Sequence, residues 1–383
     1  MKRIAKAFTG WSRGGRTLHR LSVAAAAFAV SSCVVGSPQR GRSLPSSSDD
    51  SVASSLTIVV LALDGVRYHE IFEGVDPELA RSHGLEQREI VSAEQLMPRL
   101  HAIIATHGAA LGAPGHGASI SASGPNFLSL PGYAEIFSGR RVTDCHDNQC
   151  ASGGTATVVD ELGSRSRDVE RDLAVITSWP EIAKVASLEP ASAAISTGRH
   201  GGRTRNALAD DAGSRAILER SEDANPQPGH GDFRPDRFTA ELALYRLAHE
   251  RPRFLFIGLG EPDEFGHLND YRGYLDSLRR SDEIIARVDA ELAHAALNGA
   301  RTALFITTDH GRAQGFVDHG KLYPESARVW LVATGSACTA RGFVNASAPR
   351  HLADIAPTVR DLAGLPADSS GAAGEPLREL FSP

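Results

Sequence analysis

Cysteine is scarce in this chain, 4 of 383 residues, and the 42% apolar content is that of a protein that buries an ordinary core. A basic excess is also missing. With a net charge of -6 and a sequence pI near 6.2, the chain lacks the cationic surplus of proteins that bind phosphate backbones, so no nucleic-acid partner is expected. No fixed-period repeat is evident, which excludes solenoids and propellers. The apolar run LSVAAAAFAV near the N-terminus is too short to span a bilayer.

That run sits behind a basic leader of Lys2, Arg3, Lys6, Arg13, Arg16 and Arg20 and ahead of small residues, the pattern of an export signal over residues 1–33. The ending VSSC resembles a bacterial lipobox, which would make Cys33 a lipidated residue and the N-terminus the chain's sole membrane attachment. An ordinary signal-peptide cut nearby, releasing a soluble protein, is the other reading. The protein is expected in the periplasm or on the outer membrane as a lipoprotein, or otherwise secreted. Residues 34–55 are rich in Ser, Pro and Gly and read as a flexible tether. In an oxidising compartment the spacing CHDNQC predicts a disulfide between Cys145 and Cys150, with metal binding as the weaker rival, and leaves Cys338 a buried thiol.

From residue 56 to 383 the pattern is that of one catalytic domain. The runs LTIVVLAL, RDLAVIT, ASAAIST, RFLFIGL, TALFITT and RVWLVAT are apolar on both faces, as buried parallel strands are. Between them lie amphipathic stretches such as the one carrying Leu275, Leu278, Ile285, Val288 and Leu292. The fold class is therefore α/β with a largely parallel central sheet and helices on both faces. Residues 198–237 lack periodicity and read as a long surface excursion that helps to form a lid.

In such sheets ligands bind beyond the carboxyl ends of the strands. Polar residues there are Asp64 after the first run, Asp263 and His267 in EPDEFGH, and Asp309 and His310 after TALFITT; His319 follows in GFVDHG. An isolated aspartate after a strand is as readily a helix cap, and an isolated histidine is more often a surface or core residue. Their coincidence points to metal. Three aspartates and three histidines are the oxygen and nitrogen donors that suit zinc and, less strictly, manganese or iron. Six donors suit two divalent ions, each with three. In SLPGYAEIFSGR, Ser129 stands at the start of a helix-compatible run, where a hydroxyl is either a nucleophile or a cap.

Taken together, LALDGVR, SLPGYAEIFSGR, EPDEFGH, TTDHGR and DHG resemble, in content and order, the alkaline phosphatase superfamily, and most closely its nucleotide pyrophosphatase/phosphodiesterase-like branch. MPRLHAIIATHGA and HLADIAPTVRDLAGLP are similar too, so the resemblance covers nearly the whole mature chain. It implies a three-layer alkaline-phosphatase-like sandwich. One zinc would be held by Asp263, His267 and His319 and the other by Asp64, Asp309 and His310, with Ser129 carrying a covalent phosphoryl group. Asn148, about twenty residues after Ser129, would bind a phosphoryl oxygen, with Arg140 or Arg141 as substitutes. The implied activity is phosphoric ester hydrolysis on a small substrate, as a phosphodiesterase or, alternatively, a phosphomonoesterase. A sulfatase is disfavoured because Tyr133 stands where the sulfatase pattern C/S-x-P-x-R places arginine. Phosphoglycerate mutases and phosphopentomutases are disfavoured by the export signal. A binding lipoprotein with a purely structural metal is the reading from a different class.

Overall fold

The computed structural model describes residues 56–150, 154–189, 193–200, 208, 211–368 and 374–381. All of these belong to one compact unit, within Val52–Pro383. The export signal, Cys33 and the tether lie outside the described residues. Among the described residues no helix is long and apolar enough to cross a membrane.

Strand β1 (Leu56–Leu63) sits inside the main sheet because both of its faces are apolar. Val59, Leu61 and Leu63 point to one core and Ile58, Val60 and Ala62 to the other, as the period of two requires. The remaining strands are β2 (Ala109–Leu111), β3 (Ile120–Ser121), β4 (Leu173–Thr177), β5 (Ala194–Thr197), β6 (Phe254–Leu259), β7 (Arg301–Thr307), β8 (Arg328–Val329), β9 (Leu331–Thr334), β10 (Gly342–Phe343) and β11 (Arg350–His351). Eight of them form the sheet β10-β2-β9-β7-β1-β6-β4-β5, and three form a small sheet β11-β3-β8. Every pairing in the large sheet is parallel except those of β9 with β2 and β7. Helices cover both faces, which gives the three layers expected from the sequence.

Two expectations change. The run RVWLVAT is not one strand: it leaves the small sheet after Val329 and enters the large one at Leu331. At the break, Trp330 is fully buried and its indole Nε1 donates to the Val66 carbonyl at 3.1 Å, so the side chain fills the core where the backbone changes sheet. The excursion after Gly198 is also more regular than its composition suggests. It contains a helix, Ala212–Glu222, capped by the Asp211 side chain, which accepts from the Ser214 N–H.

The order β7-β1-β6 is what assembles the polar residues. β1 is flanked on one side by β6, with Leu63 opposite Leu259, and on the other by β7, with Ala62 opposite Thr307. The charged groups just past these three strands are thereby delivered to one edge of the sheet, although the first precedes the others by some 200 to 250 positions, as the Gly65 to Asp309 contact (separation 244) illustrates.

Candidate metal centre

Each group reaches the site for a local reason. Asp64 ends β1, and Gly65 follows it at φ +63°, where a side chain would be strained and its Cβ would collide with the Asp263 carboxylate. The Gly65 N–H donates to Asp309 Oδ1 at 3.0 Å, which ties the end of β1 to the residue after β7. Helix Glu261–His267 starts directly after β6, and its Asp263 and His267 are four residues apart, hence on one face; His267 Nε2 lies 3.0 Å from Asp263 Oδ2. Gly260 supplies no cap of its own. Asp236 does so from a distant helix, accepting from the Gly260 and Glu261 N–H groups at 2.9 and 3.0 Å.

Ser129 is the first residue of helix Ser129–Ser138. The cap of that helix comes from Asn148, whose Oδ1 accepts from the Leu130 N–H at 3.1 Å. The Ser129 hydroxyl is turned instead toward the acids, 3.4 Å from Asp64 Oδ1 and 3.2 Å from His310 Nε2. Close approach is permitted by Gly132, where a Cβ would collide with the Asp309 carbonyl.

The donors form two adjoining groups. Asp64, Asp309 and His310 offer atoms within 4.8 Å of one another, and all three are buried. Asp263, His310 and His319 meet the same distance, so His310 faces both groups. His267 joins the second, its Nε2 3.2 Å from His319 Nε2. All six residues singled out in the sequence are therefore brought together beside Ser129, with the first triad buried and His267 about half exposed (49%).

These residues fit divalent cations. Asp309 Oδ2 is fully buried and has no hydrogen-bond partner, which is costly for a carboxylate oxygen unless a cation satisfies it. His310 Nδ1 is held by the Gly311 carbonyl at 2.8 Å and His319 Nδ1 by the Phe127 carbonyl at 3.2 Å, which leaves each Nε2 lone pair pointing at the acids. Without a cation the acids resist ionising. Burial, then the charges of Asp309 and Asp263, push Asp64 well above the usual carboxylate range, and burial pushes Asp309 up to about 8. His310 is driven well below its ordinary value by burial and by His319, so the imidazole is neutral and can coordinate. Asp263 departs from this pattern: burial works upward, but the Arg312 guanidinium beside it and then His267 hold it well below the usual range.

Two participants are not legible from motifs. Tyr133 is fully buried and its hydroxyl donates to Asp64 Oδ2 at 2.9 Å, so the position where a sulfatase carries arginine here carries a group that holds an acidic donor. Arg312 contacts Asp263 Oδ1. The substitutes for Asn148 do not serve: Arg140 is engaged with Asp368 at 2.6 Å and Arg141 donates to the Gly124 carbonyl at 3.2 Å. Cys145 and Cys150 are disulfide-bonded, which closes the loop that presents Asn148, and Cys338 is a free, half-buried thiol.

A cleft of about 820 Å³ opens from these groups. Asp64, Ser129, Asn148, Asp263 and His267 line it together with the apolar Trp179, Phe233 and Leu268. Residues 227–233, from the excursion, form part of its wall.

A layered α/β fold with paired acid and imidazole clusters at the strand ends is suited to holding metal ions. Residues 236–367, which hold five of the six donors, match the model of the Metalloenzyme superfamily. The overall fold is similar to that of the phosphonate monoester hydrolase from Silicibacter pomeroyi (14% identity, TM-score 0.52, 86% of this chain and 77% of that one). It is also similar to an alkaline phosphatase superfamily protein from Vibrio parahaemolyticus (13%, TM-score 0.52, 86% and 71%). Wild-type alkaline phosphatase PafA gives 11% identity and a TM-score of 0.50 over 86% of this chain and 99% of that one. The chain thus shares the fold of alkaline phosphatase superfamily structures, and its residues 236–367 match the Metalloenzyme superfamily model. Curated relatives are 2,3-bisphosphoglycerate-independent phosphoglycerate mutases: 27% identity to that of Cereibacter sphaeroides (40% of this chain, 30% of the relative) and 30% to that of Desulforudis audaxviator (35% and 26%). The chain therefore spans less than a third of the length of the curated relatives it matches.

Proposed function

We propose that the protein is an exported phosphoric ester hydrolase of phosphodiesterase type, acting on small esters through a covalent phosphoserine at Ser129. The observation that carries this reading is the Ser129 hydroxyl, set at a helix N-terminus within 3.2 to 3.4 Å of His310 and Asp64. Two divalent ions, for which zinc suits the mixed nitrogen and oxygen donors, would supply Lewis acidity and neutralise the charge that builds up on phosphoryl oxygens. Asp64, Asp309 and His310 would hold one ion, and Asp263, His267 and His319 the other.

The chain's own groups define the course of the reaction. Tyr133 fixes Asp64, and the helix N-terminus favours negative charge at the Ser129 oxygen. The serine oxygen bonds to phosphorus as the ester oxygen departs, and the alcohol leaves with a proton. Water then attacks the phosphoserine and restores the hydroxyl. Asn148 spends its Oδ1 on the helix, so its amide hydrogens are what it can offer a phosphoryl oxygen.

Cleft charge favours a diester. Among the described lining residues, Glu181, Asp232 and Glu264 are acidic and none is lysine or arginine, which opposes a dianionic monoester and any substrate with a second acidic group, such as a phosphoglycerate. In the same cleft, Trp179 and Leu268 suit an apolar second ester group. Export and a lipid at Cys33 rest on the N-terminal pattern, and cell fractionation of wild type and Cys33→Ser tests them.

The direct test incubates the mature chain and zinc with bis(p-nitrophenyl) phosphate or p-nitrophenyl phosphate, with and without chelator. We expect faster, chelator-sensitive turnover of the diester and its loss in Ser129→Ala with metal content retained. Chelator-insensitive turnover, or an active Ser129→Ala chain, would overturn the reading. Metal uptake without turnover of any ester would point to a structural metal in a binding protein.

A further inference from the structure

Arg312 stands outside the proposed phosphoryl chemistry, yet its side chain beside Asp263 is 0% exposed. Taking a guanidinium out of water is expensive unless its donors are satisfied in good geometry. Here they are. Nη1 contacts Asp263 Oδ1, Nε donates to the Phe316 carbonyl at 2.5 Å, and Nη2 to the Val317 carbonyl at 2.5 Å. One planar fork thus joins helix Glu261–His267 to the loop that leads to His319.

Space for that fork is built in from two sides. A Cβ at Gly266 would collide with the guanidinium carbon, and one at Gly65 would crowd both Nη1 and the Asp263 oxygen. The loop itself is bent around the group. Phe316 adopts φ +75°, a left-handed conformation that is strained for a bulky residue. Its carbonyl accepts from Arg312, while its ring packs between Tyr271 and Tyr274 with centroids 5.1 and 5.0 Å away. The turn is closed by the Ala313 N–H donating to the Asp318 carbonyl at 2.7 Å, one residue before His319.

A fixed positive charge beside a site for cations opposes their binding by Coulomb repulsion, so its benefit has to be geometric. We propose that Arg312 is a positioning residue of the metal centre: it ties one oxygen of Asp263 to the backbone carrying His319, so that two distant stretches present their donors to one ion together. Asp263 then offers Oδ2, the oxygen that His267 Nε2 approaches at 3.0 Å. This inference rests on the reading of Asp263, His267 and His319 as ion-binding groups. It goes beyond that reading in assigning the selectivity between the two sites to a residue that binds neither ion.

The discriminating variant is Arg312→Lys, which keeps the charge and loses the fork, because one ammonium cannot reach Asp263 and both carbonyls in the same geometry. Zinc affinities of the two sites are measured on the full mature chain by competition with a chromophoric chelator, alongside the visible spectrum of the cobalt-substituted protein. We expect one ion to bind about 10- to 100-fold more weakly with an altered cobalt spectrum, the other ion to be unchanged, and amide exchange over residues 313–319 to accelerate. Asp309→Asn identifies the sites, since it should weaken the other ion. If Arg312→Lys does not fold, Gly266→Ala, which crowds the guanidinium and leaves its chemistry intact, should produce the same selective loss. Two ions bound as in wild type, with an unchanged cobalt spectrum, would overturn the inference and leave the hydrolase reading standing. A wild-type chain that takes up no ion would overturn both.

Discussion

The two halves of the metal centre use the same kinds of side chain in opposite surroundings. Asp64, Asp309 and His310 are buried, the last two completely, with no fixed cation in contact, and both carboxyls are pushed up in pKa by burial. Asp263 and His267 line the cleft, the His319 side chain lies buried beside them, and Arg312 holds Asp263 ionised. In the closed half a divalent ion is the main means of neutralising buried charge, so binding there should be tight and slow to exchange. In the open half part of that work is already done by a guanidinium, and solvent has access. Affinity and exchange should therefore differ between the halves, with Ser129 reaching the cleft beside the more buried one.

The strongest way to break this comparison is at Ser129. Ser129→Ala should lower diesterase turnover by about a thousandfold or more while both ions remain, as steady-state kinetics and metal analysis would show. Equal loss of turnover and of the closed-site ion would mean that the hydroxyl is needed to hold metal rather than to attack. Next in size is Asp309→Asn. It leaves a buried site one charge short, and zinc affinity there should fall more than about 100-fold, measured by chelator competition.

A third prediction concerns the helix that presents Ser129. Glu135 is buried in it, accepting from the Ser123 N–H at 2.9 Å, the Ser123 hydroxyl at 2.6 Å and the Ala353 N–H at 2.9 Å; burial, partly opposed by these donors, raises its carboxyl to about 7. The folded chain keeps a proton that the unfolded chain has released. This contribution to stability is complete below the ordinary value of 4.5 and is lost as pH rises through about 7, an upper limit of about 3 kcal/mol. Denaturant unfolding at pH 5 and pH 8 should show it, and Glu135→Gln should flatten that part of the profile. An unaltered pH dependence in the variant would place the sensitivity elsewhere. The smallest effect is expected from His267→Ala, whose half-exposed imidazole is the most solvated of the donors; open-site affinity should drop about tenfold with the closed site unaffected.

The difference between the halves also shows what a sequence can disclose. Strand ends are legible because long apolar runs stop at charged residues: Asp64 after β1, and Asp309 and His310 beyond β7. The i and i+4 spacing in EPDEFGH likewise marks a single helix face. What escapes depends on partners that no spacing encodes. Arg312 meets Asp263 from 49 positions away, and it fits because Gly65 and Gly266 lack side chains. Tyr133 stands out in the sequence only for not being arginine, since its bond to Asp64 spans 69 positions. The strand change at Trp330 is hidden for a similar reason: an apolar run looks the same whether it continues or crosses to a second sheet. Helix Ala212–Glu222 is masked by the Gly, Asp and Pro around it.

Anomalous diffraction at the zinc edge from crystals of the zinc-loaded protein tests the arrangement most directly. Two peaks are predicted, one enclosed by Asp64, Asp309 and His310 beside the Ser129 oxygen and one at Asp263, His267 and His319 facing the cleft. A single peak, or density away from these side chains, would contradict it.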